Sequence, residues 1–141
     1  MVNYKNGKIY KIVSVEGDCV YYGSTVQKIN HRFAKHKTDH KRNPRFASSE
    51  LMKYKDAKIY LVENYPCKNR KELLEREGYY IRNNKCVNVR VAGRTRKEFY
   101  NDNRDKILKQ NKVRIKCKCG RTYQYVHKSR HFKTKVHIQN I

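Results

Sequence analysis

The sequence predicts an α+β fold: a small three-stranded antiparallel sheet flanked by helices, then a linker helix and a small ββα unit. Three observations predict it. "KIYKIVSVEGDCVYYGST" sets two β-branched and aromatic runs around a Gly-Asp turn. Two later segments carry apolar residues at helical spacing behind capping residues. Near Gly93 the composition shifts, and the rest of the chain is polar and basic.

In order, the strands are expected over about 8–15 and 19–23, with the turn at Glu16-Gly17-Asp18. Thr25 is then the expected cap of a helix over about 28–41, whose buried stripe is Ile29 and Phe33. "ASSELMKY" reads as a short helix and "AKIYLVENY" as a third strand closed by Pro66. Asn69 is the expected N-cap of a helix over 70–83, with Glu72 completing a capping box. "KCVNVRVAG" is extended and ends at Gly93. Residues 94–112 are polar nearly all round, which suits a basic linker, either an exposed helix or disordered. This gives three parts: a domain over 1–93, the linker over 94–112, and a small unit over 113–141.

Composition narrows the partners. The 141 residues hold 35 Lys and Arg against 12 acids, a formal charge of +23, of which +13 falls in residues 90–141. A field that dense favours a polyanion, with nucleic acid ahead of an acidic membrane. Leu, Ile, Val and Phe number only 30, so the core is thin and the 12 Tyr must supply much of the packing. No apolar run approaches the roughly 20 residues that span a bilayer, and the first residues lack a signal-peptide core. The expectation is a soluble intracellular protein, nuclear or cytoplasmic. Five Cys without regular spacing argue for reduced thiols or metal ligands over a disulfide framework.

Polar side chains stand where apolar ones belong. In "KELLEREGYYIRNN", Glu77 shares the stripe of Leu73, Leu74, Tyr80 and Ile81. Arg32 and His36, one turn apart, flank the apolar stripe of their own helix. Tyr10 and Tyr21 lie within the hairpin strands, and Gly23 sits at a strand end, where a close approach is common. If the elements pack, these groups converge on one basic concavity, a set sufficient for phosphodiester hydrolysis. Glu77 can hold a divalent cation, Arg32 can neutralise phosphate charge, and a Tyr or His can orient or deprotonate water. Each alone also fits an ordinary role, as sheet aromatic, solvated base or salt-bridged acid.

Taken in order, the same residues resemble the GIY-YIG nuclease family. "KIY" at 8–10 and "YYG" at 21–23 stand at its two tripeptides, with Lys8 in place of the first Gly and Tyr22 in place of the central Ile. "STVQKINHRFAKH" resembles its helix with Arg followed four residues later by His, and "LLEREGYYI" its metal-binding segment. "SSELMKY", led by Ser48 and Ser49, and Asn88 of "VNV" also have counterparts. The resemblance covers about residues 7–90. It implies Tyr10 as general base or water-positioning group, assisted by Tyr21. Arg32 would stabilise the pentavalent phosphate, and His36 would contact phosphate or share the proton. Glu77 would hold one magnesium or manganese ion. Glu75 competes for that role, but helical phase favours Glu77. Gly23, Ser49 and Asn88 are the expected nucleic-acid contacts of this domain.

The tail offers a second metal site. Cys117 and Cys119 are separated by one residue, and His131 and His137 by five, with eleven between the pairs. Tyr123 takes the position of a hairpin aromatic, His127 is a substitute ligand, and "RHFKTKVH" resembles the last helix of matrin-type zinc fingers. Two thiolates and two imidazoles suit zinc, which folds segments too small to fold alone. Lys128 and Arg130 are the candidate phosphate contacts there. The expected function is a metal-dependent endonuclease acting on DNA in preference to RNA, nicking one strand per site, as a monomer or weak dimer. The alternative is a non-catalytic nucleic-acid-binding protein that retains the fold.

Overall fold

The computed structural model describes residues 2–140. These form two compact units, one running to Arg94 and the other starting at Thr95. In the first, β1 (Lys8–Ser14) and β2 (Cys19–Thr25) make an antiparallel hairpin. Asp18 takes the left-handed conformation at the turn, φ 43°, which Asp tolerates through local hydrogen bonding. β3 (Lys58–Asn64) pairs with the other side of β1, so the order is β2-β1-β3. The sheet is the three-stranded antiparallel one expected.

Its central strand carries the core: Ile9, Tyr10 and Ile12 are fully buried. Tyr10 and Ile12 pack with Leu51 of α2 (Ser49–Met52) and against Ile29 and Phe33 of α1 (Ile29–Arg42). α3 (Arg70–Asn83) packs against β1 and β2 and contributes Leu73 and Ile81 to the buried set. Among the described tyrosines only Tyr10 and Tyr22 are buried, so the aromatics supply less of the core than their number suggests.

Three boundaries differ from expectation. β2 continues through Thr25, which pairs with Lys8, because β1 is long enough to template seven residues. Thr25 therefore caps no helix; its hydroxyl accepts from Gln27 N at 3.1 Å, and α1 starts after Lys28 without a side-chain cap. At α3, Asn69 accepts from Glu72 N at 3.0 Å as expected, but Glu72 reaches back one residue further, to Lys68 N at 2.9 Å. "KCVNVRVAG", expected to be extended as far as Gly93, bends at Val89 and Arg90 and turns at Ala92 and Gly93. Val87 N donates to Val20 O at 2.8 Å, and from there the Asn88 side chain replaces the ladder.

In the second unit α4 (Arg96–Lys112) buries none of its residues and opens on a full capping box between Thr95 and Glu98. The hairpin β4 (Arg114–Lys116) and β5 (Thr122–Gln124) follows. The single helix expected for the histidine pair is two short ones, α5 (Lys128–Phe132) and α6 (Lys135–Gln139). Thr134 divides them: its hydroxyl bonds His131 O at 2.8 Å and accepts from His137 N at 3.3 Å. Among the described residues, no helix is long and apolar enough to cross a membrane.

Candidate active site and metal centre

Tyr10, Tyr21, Gly23, Arg32 and Glu77 line one cavity of about 370 Å³ in the first unit. The register explains part of this, since Tyr10 lies opposite Gly23 across the hairpin. A Cβ on Gly23 would overlap the Tyr10 hydroxyl, so only glycine leaves that hydroxyl its place. Gly23 itself is buried, and its role is to make room.

Around Tyr10 the polar groups form a chain. Arg32 Nε donates to the Tyr10 hydroxyl at 3.1 Å, that oxygen lies 2.7 Å from His36 Nε2, and His36 Nδ1 lies 2.9 Å from Ser48 Oγ. Two imidazole tautomers satisfy these distances. With the proton on Nδ1, Tyr10 donates to Nε2 and His36 donates to Ser48. Burial, helped by the nearby Arg32 charge, lowers the His36 pKa to about 4, so the ring is neutral at neutral pH. Burial raises Tyr10 to about 12 against the opposing pull of Arg32, and raises Tyr21 as well.

Glu77 enters from α3. Its Oε2 accepts from Ser24 Oγ at 2.5 Å. Burial raises its pKa, while the Ser24 bond and Arg32 pull it down. It is the one acid among the described residues lining this cavity, which also carries Lys35 and Arg70. Glu75, its rival in sequence, is exposed and pairs with Lys71 at 3.8 Å. A half-buried carboxylate with one oxygen bonded by a hydroxyl suits a hard cation that keeps most of its waters. The residues present therefore fit a magnesium or manganese ion.

Two expected nucleic-acid contacts have other work. Ser49 is 1% exposed and its hydroxyl donates to Asn43 O at 3.4 Å, so it is closed to a ligand. Asn88 accepts from Tyr22 N at 2.9 Å and donates to Tyr22 O at 2.8 Å, which uses its amide on the main chain of β2. Conversely, the sequence pattern assigns no role to Ser24 or Ser48, whose hydroxyls hold Glu77 and His36. Their partners are 53 and 12 residues away, and neither serine's local sequence names such a partner.

The model of the GIY-YIG catalytic domain matches residues 6–89, more than half of the chain. The chain belongs to the GIY-YIG family. No curated protein and no solved structure matches it significantly. Membership carries the general activity, so this GIY-YIG protein is a nuclease, a hydrolase whose substrate is nucleic acid.

The second unit of the GIY-YIG protein brings Cys117, Cys119, His131 and His137 together, with their ligand atoms within 4.8 Å of one another. Cys117 Sγ lies 3.3 Å from His137 Nδ1, and Cys119 Sγ 3.5 Å from His131 Nε2. Tetrahedral bonds of about 2.0–2.3 Å separate donors by similar distances, so two sulfurs and two nitrogens here fit zinc. His127 is outside the group. The tight cysteine spacing is accommodated by Gly120, φ 84°, whose N–H reaches Cys117 O at 3.0 Å. Tyr123 stacks on His131 at 4.5 Å and Phe132 on His137 at 4.7 Å, which fixes both imidazole planes. Lys128 and Arg130 are exposed on α5.

Proposed function

We propose that the chain is a metal-dependent DNA endonuclease that nicks one strand per active site, with its C-terminal unit acting as a zinc-stabilised DNA-binding finger. One observation carries the catalytic half: among the described residues, Glu77 is the lone carboxylate lining a cavity that also holds Arg32, the buried Tyr10 and the partly buried Tyr21. Such a site is built to hold a cation and an anionic phosphate together.

Tyr10 is the proposed base. Protonated at neutral pH, it can take a proton from water only as it passes its own onward, and neutral His36 at 2.7 Å is the acceptor. Ser48 holds His36 in orientation from the other ring nitrogen. Tyr21 borders the water site. Arg32 uses Nε on Tyr10 and has its terminal amino groups for the phosphate, where charge grows in the pentavalent state. Glu77 is the residue that would hold magnesium or manganese, and that ion supplies charge neutralisation at the leaving oxygen. One such centre cuts one strand per encounter. In the finger, Cys117, Cys119, His131 and His137 would hold zinc, and Lys128 and Arg130 would meet phosphates.

Nicking of supercoiled plasmid in magnesium or manganese tests this. Wild type should give open circles, and Glu77→Ala should be slower by roughly 100-fold or more, the size of losing one transition-state interaction. Equal cutting by both proteins would overturn the assignment to this Glu77 site, and binding without cutting by either, on several DNA forms, would favour a non-catalytic binder instead.

A further inference from the structure

A second cavity lies beside the first and shares Tyr21 and Glu77 with it. At about 570 Å³ it is the larger of the two, and a nucleobase with its sugar fits a space of that size. One wall is the segment 43–47 between α1 and α2, and the other is the segment 88–92 after α3. Among the described residues lining it, Glu77 is the one acid, and Arg45 and Arg90 are the cations. A strand whose scissile phosphate sits at Glu77 therefore has a basic exit on this side.

Phe46 lines that exit. It also borders the recess that contains Tyr21, Arg32 and His36. Its side chain belongs to a residue that is 51% exposed. Single exposed apolar side chains are ordinary and mean nothing alone. Here the ring stands in a cleft with two arginines, and its backbone is held firmly. Asn43 Oδ1 accepts from Arg45 N at 3.0 Å, and Ser49 N donates to Phe46 O at 2.8 Å. The opposite wall is fixed by the paired bonds of Asn88 to Tyr22. An aromatic face held in a basic groove stacks a base that has lost its neighbours, whereas bases inside a continuous duplex have both faces covered.

We propose that this cleft seats an unpaired nucleotide next to the scissile phosphate, with its base on Phe46 and its phosphates against Arg45 and Arg90. The preferred substrate is then DNA carrying an extrahelical or single-stranded nucleotide, and continuous duplex is the poorer one. This rests on the nuclease reading above. Supercoiled plasmid remains cuttable because negative supercoiling opens base pairs locally.

Two duplexes that differ by a single bulged 2-aminopurine separate the outcomes. In magnesium-free buffer, wild type should quench the 2-aminopurine by stacking, Phe46→Trp should do so too, and Phe46→Ala should not. In magnesium, wild type should cut the bulged duplex about tenfold or more faster than the matched one. Phe46→Ala should lose roughly tenfold of that ratio, the scale of one base-on-aromatic stack, and Phe46→Trp should keep it. Equal rates on the two duplexes, or a Phe46→Ala protein with unchanged ratio and quenching, overturn the proposal and leave the nuclease standing. If neither duplex nor supercoiled plasmid is cut, the nuclease reading fails, and the quenching comparison alone decides the seat. Quenching lost only in Phe46→Ala supports it; quenching kept there overturns it.

Discussion

His36 shows how burial sets chemistry at a single residue. It is 3% exposed and holds two hydroxyls, Tyr10 and Ser48, while its pKa falls from 6.5 to about 4. Between those two values the unfolded chain binds a proton that the folded chain refuses. Stability therefore drops as pH falls through that window and is independent of His36 above it. The span from 6.5 to about 4 corresponds to roughly 3 kcal/mol. Glu77 works in the opposite sense, because its raised pKa makes mild acid favour the folded state. The comparison must thus be between wild type and His36→Gln. Urea melts at neutral and mildly acidic pH should show a shallower loss in the variant, and identical slopes would remove His36 as a buried neutral base. Tyr10→Phe keeps the ring in the core but deletes the oxygen between Arg32 and His36. Nicking should slow by about 10²–10⁴, the usual worth of a positioned base. Cutting at the wild-type rate would take the proton-accepting role away from Tyr10.

At the scale of elements, the open edge of β2 is closed by the Val87 N–H on Val20 O and by one side-chain amide. Asn88 meets both the N–H and the C=O of Tyr22, so a side chain does what a fourth strand would do. Asn88→Ala leaves both groups unpaired at a partly buried edge, a loss of about 1–3 kcal/mol visible in the urea midpoint. Because Tyr21 precedes Tyr22 and lines the cavity, nicking should fall as well. An unchanged midpoint would mean that water replaces the amide without cost. The same elements show what the sequence makes legible. The hairpin and α3 follow from local signals, alternating β-rich runs and an Asn cap. Glu77 is separable from Glu75 by helical phase, a property of neighbouring residues, and Glu75 indeed lies exposed beside Lys71. The end of β2 was not legible, since its length is set by pairing with β1 through Thr25. Nor were the bonds of Ser24, Ser48 and Asn88, which join residues distant in sequence; the segments around Ser48 and Asn88 mark those positions but not their partners.

For the whole molecule the governing quantity is charge, +23 in total with +13 in residues 90–141. Affinity for DNA should then fall steeply with salt, because each neutralised phosphate releases counterions. The two units draw their stability from different sources. The first has its own apolar core in Ile9, Tyr10, Ile12 and Leu51, whereas His131, a proposed metal ligand, is the one buried residue described in the second. Zinc is therefore expected to do for the second unit what a core does for the first. Cys117→Ser removes one of four donors without touching the cavity around Glu77. Metal analysis of reductant-purified protein should find about one zinc per wild-type chain and substantially less in the variant. Nicking at low salt should survive, since the catalytic residues are in the first unit. The plot of log affinity against log salt should flatten by about 0.9 for each phosphate that the finger no longer neutralises, hence by nearly two if Lys128 and Arg130 each hold one. A variant without zinc that keeps the full salt slope would show that the finger's cations act without an ordered fold, and the metal would lose its role in binding.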